Sequence, residues 1–225
     1  MKKILLFLLV SFSLNAVFSQ ATRIIDCKEA MALLDKTVKN FKSFEGRFAH
    51  SETSQDGRTT NIEEGEVFLK RGGKIKFVYS NPEGKIAVSN GKTAYLYLKE
   101  DNSVYKMKIF LKNKLPILAK IIMGQVVPSK EFFCAFSQKE GNITTIQLGS
   151  KEKDSSLRHL EVEINEKTYF FSRISYINEY DQKVVFDFIE GRSDKEIPDQ
   201  VFEFTPPKGA KLLESKEDFE QEMNF

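Results

Sequence analysis

Residues 62–99 read IEEGEVFLKRGGKIKFVYSNPEGKIAVSNGKTAYLYLK, and in them four short runs of alternating apolar and polar residues succeed one another with only tight turns between. Val67 and Leu69 alternate with Glu66, Phe68 and Lys70; Ile75, Phe77 and Tyr79 alternate with Lys74, Lys76 and Ser80; Ile86 and Val88 follow, and after Asn90-Gly91 come Tyr95 and Tyr97. A period of two puts every second side chain on the same face of a strand. Asn-Gly is a strong hairpin signal because both residues tolerate positive φ in a type I′ turn. The stretch predicts an antiparallel meander with one oily face and one wet or semi-polar face.

Working outward, Asp26 is placed to cap a helix in which Met31, Leu34, Val38 and Phe41 recur at helical spacing, with Lys36, Lys39 and Lys42 elsewhere. A strand from Phe44 to Ser54 precedes the meander and one from Val104 to Ile109 follows it. The rhythm then breaks at residues 111–127, LKNKLPILAKIIMGQVV: Pro116 suits a first helical turn, Ile117, Leu118, Ile121 and Ile122 form an oily stripe, and Gly124 suits a helix end. Strands resume at Phe132–Lys139, Ile143–Gly149, Leu157–Asn165, Tyr169–Asn178 and Lys183–Arg192. That makes about eleven, with a further short one at Val201–Phe204. The acidic tail after Gly209 reads as helical or frayed.

About eight strands already close a barrel that side chains fill, so eleven curved strands enclose more than their own side chains occupy. Twenty Phe and seven Tyr with no Trp make that lining aromatic, and two apolar helices are available to plug or uncover it. A flat sheet with helices on one face is the competing arrangement. No Pro/Gly/Ser-rich linker divides the chain, so residues 20–225 read as one domain.

Residues 1–19 carry two lysines, an apolar run from Ile4 to about Phe18 and a small residue, Ser19, at the end. This is the pattern of a cleavable signal peptide, its apolar run shorter than the ~20 residues of a membrane span. Residues 24–26, Ile-Ile-Asp, lack the small residue that lipidation of Cys27 requires. Export permits a disulfide between Cys27 and Cys134; two separate small buried residues are the alternative. The net charge of +2 comes with no long block of one sign before the tail, which argues against a nucleic-acid partner. His50 and His159 lie far apart with no spacing that makes a triad or metal site, and read as surface or cross-strand residues. Glu63-Glu64 reads as an acidic pair at a turn, in solvent. Neither a phosphate-cradling loop nor a Cys-x-x-Cys occurs, so no cofactor, metal or catalytic residue is expected.

Several of these positions form one ordered pattern. Phe44 and Phe48 are four apart; Gly65 precedes Val67; Arg71 ends the next run; Val88-Ser89-Asn90-Gly91-Lys92 leads to Tyr97; and Phe202-Glu203-Phe204-Thr205-Pro206-Pro207-Lys208-Gly209 closes the pattern. The series resembles the outer-membrane lipoprotein carrier family (LolA), whose pattern runs Phe-x-x-x-Phe, Gly-x-Leu-x-x-x-Arg-Pro, an aromatic strand, Ile-x-Val-Ser-Asp-Gly-Lys-x-Leu-x-x-Tyr and Phe-x-Phe-x-Pro-Pro-x-Gly. It departs at Gly72, where the family has proline, and at Asn90, where aspartate is usual.

The resemblance implies a mainly β fold with some α: an incomplete, unclosed antiparallel barrel whose short helices cover an apolar cavity. It implies a periplasmic, monomeric chaperone that takes acylated lipoproteins from an inner-membrane ABC-type release complex to an outer-membrane acceptor lipoprotein. Arg71 would hydrogen-bond the lid, and Met31, Leu34, Val38, Phe48, Phe77, Tyr97, Ile117, Leu118, Ile121 and Ile122 would line or cover the cavity. A carrier or sensor of another amphiphile, such as a glycolipid or polyene pigment, is the second reading; a structural module of the envelope is a third.

Overall fold

The computed structural model describes residues 21–108, 117–122, 124, 126–152 and 158–214. Residues 1–19, read from the sequence as a signal peptide, Pro116, the side chains of Ile117 and Leu118, and the acidic tail beyond Glu214 lie outside what is described. In chain order the elements are β1 (Arg23–Ile24), α1 (Cys27–Asn40), β2 (Ser43–Thr53), β3 (Thr59–Lys70), β4 (Lys74–Asn81), β5 (Glu83–Asn90), β6 (Thr93–Leu98) and β7 (Ser103–Lys108). They continue with α2 (Ile117–Ile122), α3 (Pro128–Glu131), β8 (Phe132–Glu140), β9 (Ile143–Ser150), β10 (Arg158–Asn165), β11 (Phe170–Ile177), β12 (Lys183–Ser193), a 3-10 turn (Asp199–Phe202) and β13 (Lys211–Glu214).

All described strands belong to one sheet in the order β1-β8-β9-β10-β11-β12-β2-β3-β4-β5-β6-β7-β13. Its end strands do not pair with each other, so the barrel is unclosed. The eleven expected strands are β2 to β12. Two additions stand at the ends: β1 pairs with β8, and β13 runs parallel to β7. They are too short to show a period of two. The strand expected at Val201–Phe204 is instead the 3-10 turn, and the tail read as helical or frayed begins as β13.

The inward face is set by β2 and β3: Phe44 and Phe48 point in with Val67 and Leu69, and the register places Phe48 opposite Gly65. A Cβ on Gly65 would run into the Val78 carbonyl and sit 2.9 Å from Tyr79 Cα, where the β3–β4 ladder shifts register. Only glycine lets β4 approach that closely.

One register reading was off by a residue. In β5 and β6 the inward residues are Ala87 and Leu96, which pair with each other and belong to the main core. Ile86, Val88, Tyr95 and Tyr97 alternate to the outer face, since a one-residue slip exchanges the faces of a strand. The larger side chains point outward because this face is covered too. Residues 195–209 cross it as a strap, placing Phe204 5.4 Å from the Tyr95 ring and 6.2 Å from Tyr97. Ile197 and Phe202 are buried (2% and 1% exposed), and Asp199 takes Lys70 at 2.6 Å and Lys74 at 2.5 Å.

The interlocked turns at the Arg71 end account for both departures from the family pattern. Gly72 has φ +93°, which proline, fixed near −65°, cannot adopt. Ser89 Oγ donates to Gly73 O at 2.8 Å and accepts from Gly91 N at 3.0 Å. Asn90 Oδ1 accepts from Lys92 N and Thr93 N, as an aspartate would, while its Nδ2 reaches Glu203 at 3.4 Å.

Candidate functional site

The concave face is oily because β2, β4, β11 and β12 present aromatic rings to it and β3 adds Val67 and Leu69. Phe44 stacks on Phe170 at 4.2 Å between centroids, Phe48 meets Phe77 and Tyr79 edge-on at 4.9 and 5.1 Å, and Phe170 packs against Phe41 and Phe188. Such offset and T-shaped pairs each add about 0.5–1.5 kcal/mol beyond burial.

Across this face lies α1. Asp26 caps it by accepting from Lys28 N and Glu29 N, and its apolar stripe buries Ala30, Leu34 and Val38, with Met31 half-buried beside them. From α2, Ile121 and Ile122 are buried in the same core. Cys27, the first residue of α1, is bonded to Cys134 of β8, with Cα atoms 5.5 Å apart. Asp35 accepts from Ser129 N at 2.9 Å and thereby holds α3. Thus Met31, Leu34, Val38, Phe48, Phe77, Ile121 and Ile122 come together. Tyr97 does not, lying under Phe204 on the other face.

Arg71 gathers the cover. Its Nε donates to Phe41 O at 2.8 Å, Nη2 to Val38 O at 3.0 Å and Lys39 O at 2.5 Å, and Nη1 to Gly124 O at 3.3 Å. The final carbonyls of a helix lack intrahelical donors and form the negative end of its dipole. A planar guanidinium with five donors and a permanent charge satisfies several at once. One side chain from the β3–β4 turn therefore ties the end of α1 to Gly124, two residues past the end of α2.

The end of the interior opposite Arg71 is ionic: of its two readings, surface or cross-strand, His50 takes the cross-strand one, and Glu63 is not solvated at a turn as expected. Both are buried, at 3% and 7% exposed, and they face each other across β2 and β3. His50 Nδ1 is 3.4 Å from Glu63 Oε2, Lys85 Nζ is 2.8 Å from Glu63 Oε1, and Lys85 lies 4.5 Å over the Tyr79 ring. The His50 ring stacks on Phe186 at 4.3 Å. Burial pushes the Glu63 carboxyl up, but the bonds from His50 and Lys85 outweigh it and hold it below the ordinary range. Burial, with the Glu63 charge nearby, drives the Tyr79 hydroxyl well up. Parity was the signal for this cluster: His50 and Glu52 are in phase with Phe44 and Phe48, and Glu63 with Val67. His159, by contrast, is exposed.

The family model of the outer membrane lipoprotein carrier protein LolA matches residues 39–205. A relative named outer-membrane lipoprotein carrier protein from Coxiella burnetii is 21% identical over 203 residues, 90% of this chain and 92% of its own. One of the same name from Pseudomonas putida is 24% identical over 215 residues, 95% and 99% of the two chains. A solved structure of an uncharacterized conserved protein from Thermus thermophilus has the same fold, with a TM-score of 0.51 at 10% identity over 84% of this chain and 98% of that one. With the family model running from the end of α1 past the 3-10 turn, well over half of the sequence, this chain belongs to the LolA outer-membrane lipoprotein carrier family.

Proposed function

We propose that this protein is a periplasmic carrier, one that holds the acyl chains of lipoproteins in the interior beneath α1 and α2 and moves them from the inner to the outer membrane. The names of its relatives support the cargo. The observation that carries the reading is the Arg71 clamp: the cover over an aromatic interior is gathered by hydrogen bonds from one side chain, which can be exchanged without unfolding the sheet. Two or three acyl chains have on the order of 30 to 50 methylenes, each costing ~0.8 kcal/mol to expose, so an acylated protein does not cross water unescorted.

Loading would come from an ATP-driven inner-membrane release complex and unloading would be to an outer-membrane acceptor lipoprotein. With the cover clamped, α1 and α2 fill the space that cargo would take, so the empty carrier favours handing cargo on. Replacing Arg71 by leucine removes the donors and biases the cover open. The variant is expected to accept lipoproteins from inner-membrane vesicles yet pass them poorly to the acceptor, with Arg71→Lys intermediate. Transfer by Arg71→Leu at the wild-type rate would show that Arg71 is not the latch. Solvent extraction and mass spectrometry of protein from its own periplasm tests the cargo directly: acylated peptides are expected, and pigment or free lipid alone would overturn that assignment.

A further inference from the structure

At the ionic end of the interior, one ring nitrogen of His50 has no hydrogen-bond partner among the described residues. His50 and Glu52 lie seven and nine residues along β2 from Ser43, roughly 23 and 30 Å from the Arg71 end at ~3.3 Å per residue. An ionised carboxylate only accepts hydrogen bonds, so the His50 nitrogen that meets Glu63, Nδ1, carries the proton. In the neutral ring Nε2 is then a bare lone pair. Among the described residues it has no hydrogen-bond partner, in a side chain only 3% exposed, and it faces Glu52 Oε1 at 4.0 Å. A donor atom placed between them can lie about 2.8–2.9 Å from both.

The local field points the same way. Lys85 pairs with Glu63 on one side of the His50 ring, and on the other side Nε2 faces the Glu52 carboxyl, in a place of low exposure where a cation is drawn to a carboxylate. Aromatic surface flanks the gap. Phe186 stacks on His50, and Tyr176 and Glu52 sit on either side of Val184 in adjoining strands.

We propose that this end of the interior is a subsite for the ammonium group of an amphiphile, held between His50 Nε2 and Glu52, with the apolar chain running toward Arg71 over Phe48 and Phe77. An ammonium offers several N–H donors, brings positive charge to the carboxyl side of the gap and is attracted to the faces of neighbouring rings. The subsite rests on the reading that apolar chains occupy this interior, and adds what the polar end of a ligand must be.

Calorimetric titration of the mature protein with dodecylammonium, dodecanol and dodecanoate, each below its micelle concentration, tests it. Dodecylammonium is expected to bind about tenfold or more tighter than dodecanol, with dodecanoate weakest. Glu52→Gln should abolish the preference for dodecylammonium over dodecanol. Because a variant in a buried cluster can fail to fold, the wild-type protein provides a second readout: the ¹⁵N resonance of His50 Nε2 should shift on adding dodecylammonium and not on adding dodecanol. Equal affinities with an unmoved His50 signal would overturn the subsite while leaving an apolar carrier intact. Failure of all three probes to bind would overturn both.

Discussion

At the end of α1, Arg71 does what a glycine cap or water does for other helices, but from a different element, so capping the helix and holding it down are the same act. The room for this is made at Gly124, whose backbone has φ +66°. A Cβ there would sit 2.9 Å from Arg71 Nη2 and 3.0 Å from Val38 O. Gly124→Ala is therefore expected to displace the guanidinium while keeping it. Stability should fall by about 1–2 kcal/mol in thermal or urea unfolding, since alanine is strained at positive φ. Lipoprotein transfer should fall toward the level of Arg71→Leu; transfer at the wild-type rate would mean that the clamp tolerates the shift. Arg71 was legible in the sequence because it ends a strand within a matched pattern. The carbonyls it meets were not, because backbone acceptors carry no sequence signature. His50 and Glu63 were legible by parity but concealed by the expectation that a charged residue faces water, which a charge with its own partners need not do.

Among the elements, α1 is held differently at its two ends: covalently at Cys27 and by hydrogen bonds at Val38, Lys39 and Phe41. Release of the second end alone would let the helix swing about the first. Replacing both Cys27 and Cys134 by serine should lower stability by up to about 4–5 kcal/mol in the loop-entropy account of a bridge spanning 107 residues. Hydrogen exchange should then quicken over Ala30–Thr37. Arg71→Leu should instead quicken exchange from the C-terminal end; identical patterns in the two variants would dispose of the hinge.

The strap is expected to respond to acid. Hydrogen bonds from Lys70 and Lys74 hold the Asp199 carboxyl down to about 2, from an unfolded value of 3.8. A carboxyl depressed in the folded state contributes stability that is complete above the unfolded value and lost as pH falls through the folded one. The Tm of the wild type should thus drop between about pH 4 and 2 more steeply than that of Asp199→Asn. The strap was misread as a strand because Val201, Phe202 and Phe204 look like one; Pro198, Pro206 and Pro207 break the run on either side.

For the molecule as a whole, the meander was readable because each hairpin is local and each strand long enough to show its period. The pairing that makes one sheet of two halves was not. β2 meets β12 from Lys183↔Thr53 to Ser193↔Phe44, and nothing in either run points to the other across some 130 intervening residues. That junction gives the chain a particular history. As it emerges from its N-terminus, β2 finds β3 at once but must wait for almost the whole remainder before β12 arrives. Through that interval its row of N–H and C=O groups from Phe44 to Thr53 is an open edge, of the kind that recruits other chains. A chain ending at Ile177, short of β12, is expected to self-associate in size-exclusion chromatography more than the chain that runs through β12; equal elution behaviour of the two would show that the edge is guarded by its own charges. During synthesis, then, the centre of the finished sheet is its last exposed margin.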